Sequence, residues 1–322
     1  MKKLFLTVMA LFSICFCLET MAATAEENYN AGLNCYRNRN YVEAVRYYRL
    51  AAEQGYAMAQ NMLGLCYENG DGVERNHAEA VRYYRLAAEQ GLANAQVNLG
   101  YCYESGIGVQ QNYNEAVRWY RLAAEQGYAL GQYFLAICYA NGYGVARNLQ
   151  EAARYFRLAA DQGDADAQFQ VGVGYANGLG VERNRAEAVR WYLRAAEQGH
   201  TESQYIIGLC YREGSYVERN PYEATRYLRL AANKGHAGAQ VELGLCYENG
   251  VGIDRNLQEA ARYYQLAAQQ ENALGQFLFG RCLILGRGVA RNYEEGIRFY
   301  TLAARQGQQD AQRMLSELGR SW

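Results

Sequence analysis

The sequence predicts an all-α solenoid of stacked helix-turn-helix repeats, and three observations lead there. The stretch EAVRYYRLAAEQG stands at Glu43–Gly55 and again, unchanged, at Glu79–Gly91. From Ala57 the chain divides into seven units of 36 residues, starting at Ala57, Ala93, Ala129, Ala165, Thr201, Ala237 and Ala273. A single proline among 322 residues, half of them apolar, leaves helices uninterrupted. Self-similarity at one fixed period marks an array that grows along an axis and needs no single globular core.

The first 25 residues stand apart. Lys2 and Lys3 precede an apolar run, Leu4–Leu18, and small residues follow at Ala22, Ala23 and Ala25. That is the order of a secretory signal, with cleavage after Ala25 or after Ala23. The run is short for a membrane span, so a retained anchor is the second reading. Cys15 and Cys17 follow the bulky Ile14 and Phe16, a poor setting for lipid attachment. The expectation is export, to the periplasm or beyond the cell. Losing Lys2, Lys3 and Glu19 leaves 30 basic against 32 acidic side chains, no bulk field for nucleic acid or anionic membrane.

Residues 26–56 then form a shorter repeat, in which Asn30–Tyr56 lacks the Gly-x-Gly of the later units. Residues 57–308 hold the seven full repeats. In the first of these, Ala59, Leu63, Gly64 and Tyr67 share one helical face. Gly70-x-Gly72 supplies a tight connection. Asn76 followed by Glu79 has capping-box spacing, repeated from Asn40/Glu43 to Asn292/Glu295 in all eight units. The second helix stops at Gly91, a glycine elsewhere replaced only by Glu271. Along it Ala80, Tyr83, Tyr84 and Ala87 occupy adjoining faces, so one ring fills its own repeat and its neighbour packs toward the next. Residues 309–322, opening with Ala311-Gln312 and Leu315, read as a capping helix.

The pattern A-x-A-Q-x-x-L-G-x-x-Y-x-x-G-x-G-V-x-x-N-x-x-E-A-x-x-W/Y-Y-x-x-A-A-x-x-G resembles the Sel-1-like repeat, a relative of the tetratricopeptide repeat, over Ala57–Gln308. The resemblance implies a right-handed superhelical α/α solenoid. It also implies a non-enzymatic scaffold that holds a protein or peptide in a concave groove. Some cysteine-rich exported relatives imply an alternative, a β-lactamase or penicillin-binding activity. That chemistry normally carries S-x-x-K with K-T-G. Here the one lysine past the signal is Lys234, and no serine precedes a lysine by three.

Seven cysteines follow the signal, six of them (Cys66, Cys102, Cys138, Cys210, Cys246, Cys282) in one register with Gly174 in the vacant slot. Helix packing separates equivalent positions by about 8–10 Å or more, beyond the roughly 4.4–6.8 Å a disulfide needs. Free buried thiols are expected, where related exported proteins pair two cysteines per repeat. His200 and His236 lie one repeat apart and, with His77, read as cap or surface residues; no metal is expected. The Gly-x-Gly pairs follow helices, not strands, so they are connections and imply no dinucleotide cofactor. An arginine recurs from Arg46 to Arg298 in every unit, an ion-paired outer face or a basic ladder.

The first helices offer the candidate partner surface. Positions 58, 62, 65 and 69 and their equivalents form one stripe whose residues differ between repeats while the core slots do not. The named candidates are Asn69, Asn98, Tyr101, Phe134, Asn141, Gln170, Ile206, Asn177 and Asn249. In related tetratricopeptide proteins asparagines on this face hold peptide backbones. An asparagine before glycine is also an ordinary helix ending. A monomer binding a protein or peptide, with no cofactor, is the expectation.

Overall fold

The structure, a computed structural model, describes residues 23–322, and these fold into helices alone. Of the expected signal, residues 1–22 lie outside the described residues. Ala23 and Thr24 lead into the first helix, α1 (Ala25–Arg37), where Thr24 and Glu27 close a capping box. The following helices are α2 (Tyr41–Glu53), α3 (Ala57–Asn69), α4 (His77–Glu89), α5 (Ala93–Ser105), α6 (Tyr113–Glu125), α7 (Ala129–Asn141) and α8 (Leu149–Asp161). Then come α9 (Ala165–Asn177), α10 (Arg185–Glu197), α11 (Thr201–Glu213), α12 (Pro221–Asn233), α13 (Ala237–Asn249), α14 (Leu257–Gln269), α15 (Ala273–Leu285), α16 (Tyr293–Arg305) and α17 (Gln309–Glu317). They form two compact units, the first running to Tyr155 and the second spanning Phe156–Trp322.

In the seven full repeats the first helix ends on a glycine in the left-handed region, Gly70 at φ 82° being typical. Its amide returns to the Cys66 carbonyl, one helical turn back. The second glycine of the connection has a further task. A β-carbon on Gly108 would collide with the backbone carbonyl of His77, at the start of α4 in the preceding repeat. Gly72, Gly144, Gly252 and Gly288 meet the same kind of obstacle. The connection is therefore also a seam between repeats.

Half of the expected capping box forms. Asn76 Oδ1 accepts the Glu79 amide at 3.1 Å, and the other full repeats match it. Asn40 makes no such bond. The glutamate does not reach back: Glu79 is held by Arg82 at 2.8 Å instead, and the same pair recurs down to Arg298–Glu295. The arginine three residues on offers a charge-assisted partner that outcompetes a neutral amide. These arginines also cover the neighbouring ring, as Arg82 covers Tyr83 at 4.1 Å. The acid seven residues on, which shares their face, is not their partner, and the slot is an ion-paired outer surface.

The core follows the repeated alanines and tyrosines. Tyr84 is fully buried and packs with Ala95 and Leu99 of the next repeat, whereas Tyr83 borders the cluster of the preceding one. Gly100 leaves the room for such a ring; an added β-carbon would stand 2.6 Å from Tyr120. A glutamine ladder stitches repeats through polar atoms. In the first unit Gln60, Gln96 and Gln132 donate to Ala52, Ala88 and Ala124 carbonyls, each in the preceding second helix. Gln168, Gln204 and Gln240 do likewise in the second. At the end of the array α17 buries Ala311 and Leu315 completely, as a capping helix should.

Candidate interaction surface

The first helices form the inner side of each unit. Among non-consecutive helices, the pairs whose backbones approach most are α5 with α7 in the first unit and α13 with α15 in the second. Side chains also bridge successive first helices within each unit. Asn98 donates to Asn61 at 3.0 Å, and in the second unit Arg212 pairs with Glu242. Arg281 grips both oxygens of Glu248, at 2.9 and 2.7 Å.

The candidate residues fall into distinct settings. In the first unit Tyr101 is exposed on α5, and Phe134 is half-buried, stacked on Tyr120 with centroids 5.0 Å apart. Asn98 is half-buried through its bond to Asn61. Asn69 and Asn141 are exposed at helix ends; Asn141 donates to the Ile137 carbonyl at 3.0 Å and Asn69 contacts Asp71 at 3.4 Å. In the second unit Gln170 and Ile206 are half-buried, Ile206 against the cluster around Ile207. Asn177 and Asn249 are exposed and donate to Val173 and Leu245 carbonyls of their own helices. The three asparagines bound in this way have spent an amide donor on closing their own helix.

Reading single positions missed the acid–tyrosine pairs beneath the stripe. Tyr84 donates to Glu68, Tyr120 to Glu104 at 2.5 Å and Tyr264 to Glu248 at 2.7 Å. Burial first, and the adjacent carboxylate second, raise each of these phenols far above the ordinary tyrosine range. The recurrent sixteen-residue spacing of the pairs was the available signal. Glu242 is raised above the usual carboxylate range by burial, with Arg212 opposing.

The seven described cysteines carry free thiols. Burial pushes Cys66, Cys102 and Cys138 up to about 12, and Cys210, Cys246 and Cys282 to about 11, which suits small core residues and not nucleophiles. His200 and His236 are caps: their Nδ1 atoms accept the Ser203 and Ala239 amides at 3.2 and 3.0 Å. Their Nε2 atoms face Asp166 and Glu202. Among the described residues no cluster of three or more metal-ligating side chains forms, and no helix is long and apolar enough to cross a membrane.

Stacked helical hairpins, a repeating interior and an inner stripe that changes from repeat to repeat define a helical-repeat protein. The Sel1 repeat profile matches eight consecutive segments, 19–56, 57–92, 93–128, 129–164, 165–200, 201–236, 237–272 and 273–308. The chain belongs to the Sel1 repeat family. Its first matched segment includes the hairpin that lacks a Gly-x-Gly. A protective antigen present in uropathogenic Escherichia coli strains, displaying an SLR fold, is similar at 35% identity and TM-score 0.84. That likeness covers 96% of this chain and 67% of the other. A Sel1 repeat protein from Oxalobacter formigenes is similar at 34% identity and TM-score 0.66, over 74% of this chain and 96% of its own. No curated protein sequence matches the chain. Sel1 repeat proteins are generally protein-interaction scaffolds without enzymatic activity.

Proposed function

We propose that this protein is an exported, monomeric scaffold that holds a protein or peptide partner on its first-helix faces, in the periplasm or outside the cell. One observation carries the reading. The buried slots hold nearly one solution throughout, while the solvent-facing stripe on the same helices differs in every repeat. A stripe that is mostly exposed or half-buried is less constrained by packing and can be shaped to a partner.

Export rests on the charge, apolar run and small residues at the N-terminus. Of the two cleavage positions, the one after Ala23 retains Thr24 and with it the capping box of α1. Ser203 Oγ lies 2.9 Å from His200 Nδ1, whose Nε2 faces Asp166, but Ser203 is fully buried and presents no hydroxyl to a β-lactam. The test combines two readings of the natural chain expressed in its own cells. N-terminal sequencing of the extracytoplasmic protein is expected to begin at Thr24; a chain starting at Met1 would replace cleavage by the retained anchor, and a chain found only in the cytoplasm would defeat export. A photo-cross-linker at position 98 is expected to trap a partner that the same group at position 118, on the outer arginine face, does not. Equal trapping from both faces would remove the first-helix assignment. Turnover of nitrocefin by purified protein would replace the scaffold by a hydrolase.

A further inference from the structure

The partner's chemistry can be narrowed, on the reading that the first-helix faces bind protein. On α3, α5 and α7 the stripe contains no charged side chain. Only Glu68 and Glu104 are charged residues on these three helices, and each is taken by a buried tyrosine hydroxyl. Asn98 spends one amide N–H on Asn61 and Asn141 one on its own helix. What faces solvent is uncharged: Asn69, Asn94 and Ser105 are also polar, and the rest is apolar or aromatic. Met58 is 47% exposed, Tyr101 43% and Leu130 37%, with Phe134 and Ile137 half-buried between repeats. The neighbouring helix α1 bounds this trough with Glu26 and Arg37 at the equivalent slots.

We infer that this trough takes an uncharged, largely apolar stretch of the partner, recognised through burial of its side chains. A charged segment laid here would lose hydration and find no counter-ion, a cost that the face has no means to offset. An apolar stretch loses nothing of that kind and covers rings and methyl groups that otherwise stay wet. The second unit could not serve the same occupant equally. Its stripe carries Glu202, Glu213, Glu242 and Arg281, and covering them with an uncharged segment would desolvate ions.

A random peptide library displayed on phage, selected on the immobilised chain from residue 24 onward, tests this directly because every chemistry competes. Uncharged sequences rich in Leu, Phe, Ile or Met should be enriched. Their synthetic versions should lose about tenfold or more in affinity for Tyr101→Asp and for Leu130→Asp, exposed positions whose substitution leaves the circular dichroism unchanged. Binding should hold from about 50 to about 500 mM salt, a range across which exposed ion pairs become screened. Enriched peptides that are charged, weaken with salt, and lose affinity for Glu213→Lys but not Tyr101→Asp would overturn this inference and leave the scaffold standing. Failure to enrich any peptide family would overturn both.

Discussion

The two units share one packing solution and differ on the face that packing leaves free. In the first unit the stripe on α3, α5 and α7 is uncharged. In the second, α9 to α15 place Asp166, Glu202, Glu213, Glu242 and Arg281 on the same slots. The second unit also departs from the repeat in its seams. Tyr216 occupies the slot of the second connection glycine and keeps a positive φ of 62°. Lys234 stands where other repeats place a second glutamine, such as Gln90 or Gln198, that donates to the Oε1 of the ladder glutamine. It donates to the Gly199 carbonyl instead, leaving Gln204 Oε1 buried without a partner. Histidines replace aromatic, apolar or amide residues at two helix starts. Repetition is thus strict where a neighbour must fit and loose where none must.

The largest effect should come from forcing the second unit's exception into the first. Gly108→Ala sets a β-carbon against the His77 carbonyl at a φ of 70°, and should cost about 3 kcal/mol. Its reciprocal, Tyr216→Gly, relieves the left-handed strain and should stabilise the second unit by about 1 kcal/mol. Hydrogen exchange resolved by unit would read both, since a repeat array need not unfold in one step. Equal losses from the two changes would mean that the seam is not what glycine serves.

Next in size, Lys234→Gln should rebuild the missing rung by donating to Gln204 Oε1, as Gln270 donates to Gln240 at 2.8 Å. A gain of about 1 kcal/mol is expected, seen as a higher midpoint and slower exchange in α11 and α12. No gain would show that the buried oxygen is already satisfied.

A smaller, pH-dependent difference should separate the units. Burial holds His200 below its ordinary value of 6.5, opposed by Asp166 and Glu202 and assisted by Lys234. The unfolded chain therefore binds the proton first. This stabilising contribution is complete above about pH 6.5 and is lost as pH falls through the lower folded value. After correction for intrinsic exchange, protection in α11 should fall below about pH 6 while that in α5 stays unchanged. His200→Gln, which keeps a capping oxygen of the kind Gln308 offers to Ala311, should abolish that response. Smallest in free energy is the thiol test: Cys66 and Cys102, pushed to about 12, should resist iodoacetamide at pH 8 until the chain is denatured.

Much of this was legible before any coordinates. Asparagine caps, glycine ends and buried tyrosines recur at 36-residue spacing, and each acts locally or on the adjoining helix. The capping glutamate was only half readable, because Asn76–Glu79 spacing does not say that Arg82 will win the carboxylate. That positions 58, 62, 65 and 69 and their equivalents lie on the first helices was readable from their spacing. That Asn141, Asn177 and Asn249 fold back on their own helices was not visible, since one residue type serves both roles.

By itself the sequence determined the helices, their period and the interior, because those follow from nearest-neighbour propensity and apolar spacing repeated eight times. Only the tertiary structure decided which polar atoms remain free: Glu68 is consumed by Tyr84 and Asn61 by Asn98, while Tyr101 stays in solvent. Those outcomes depend on distances between helices of different repeats, which no local pattern encodes.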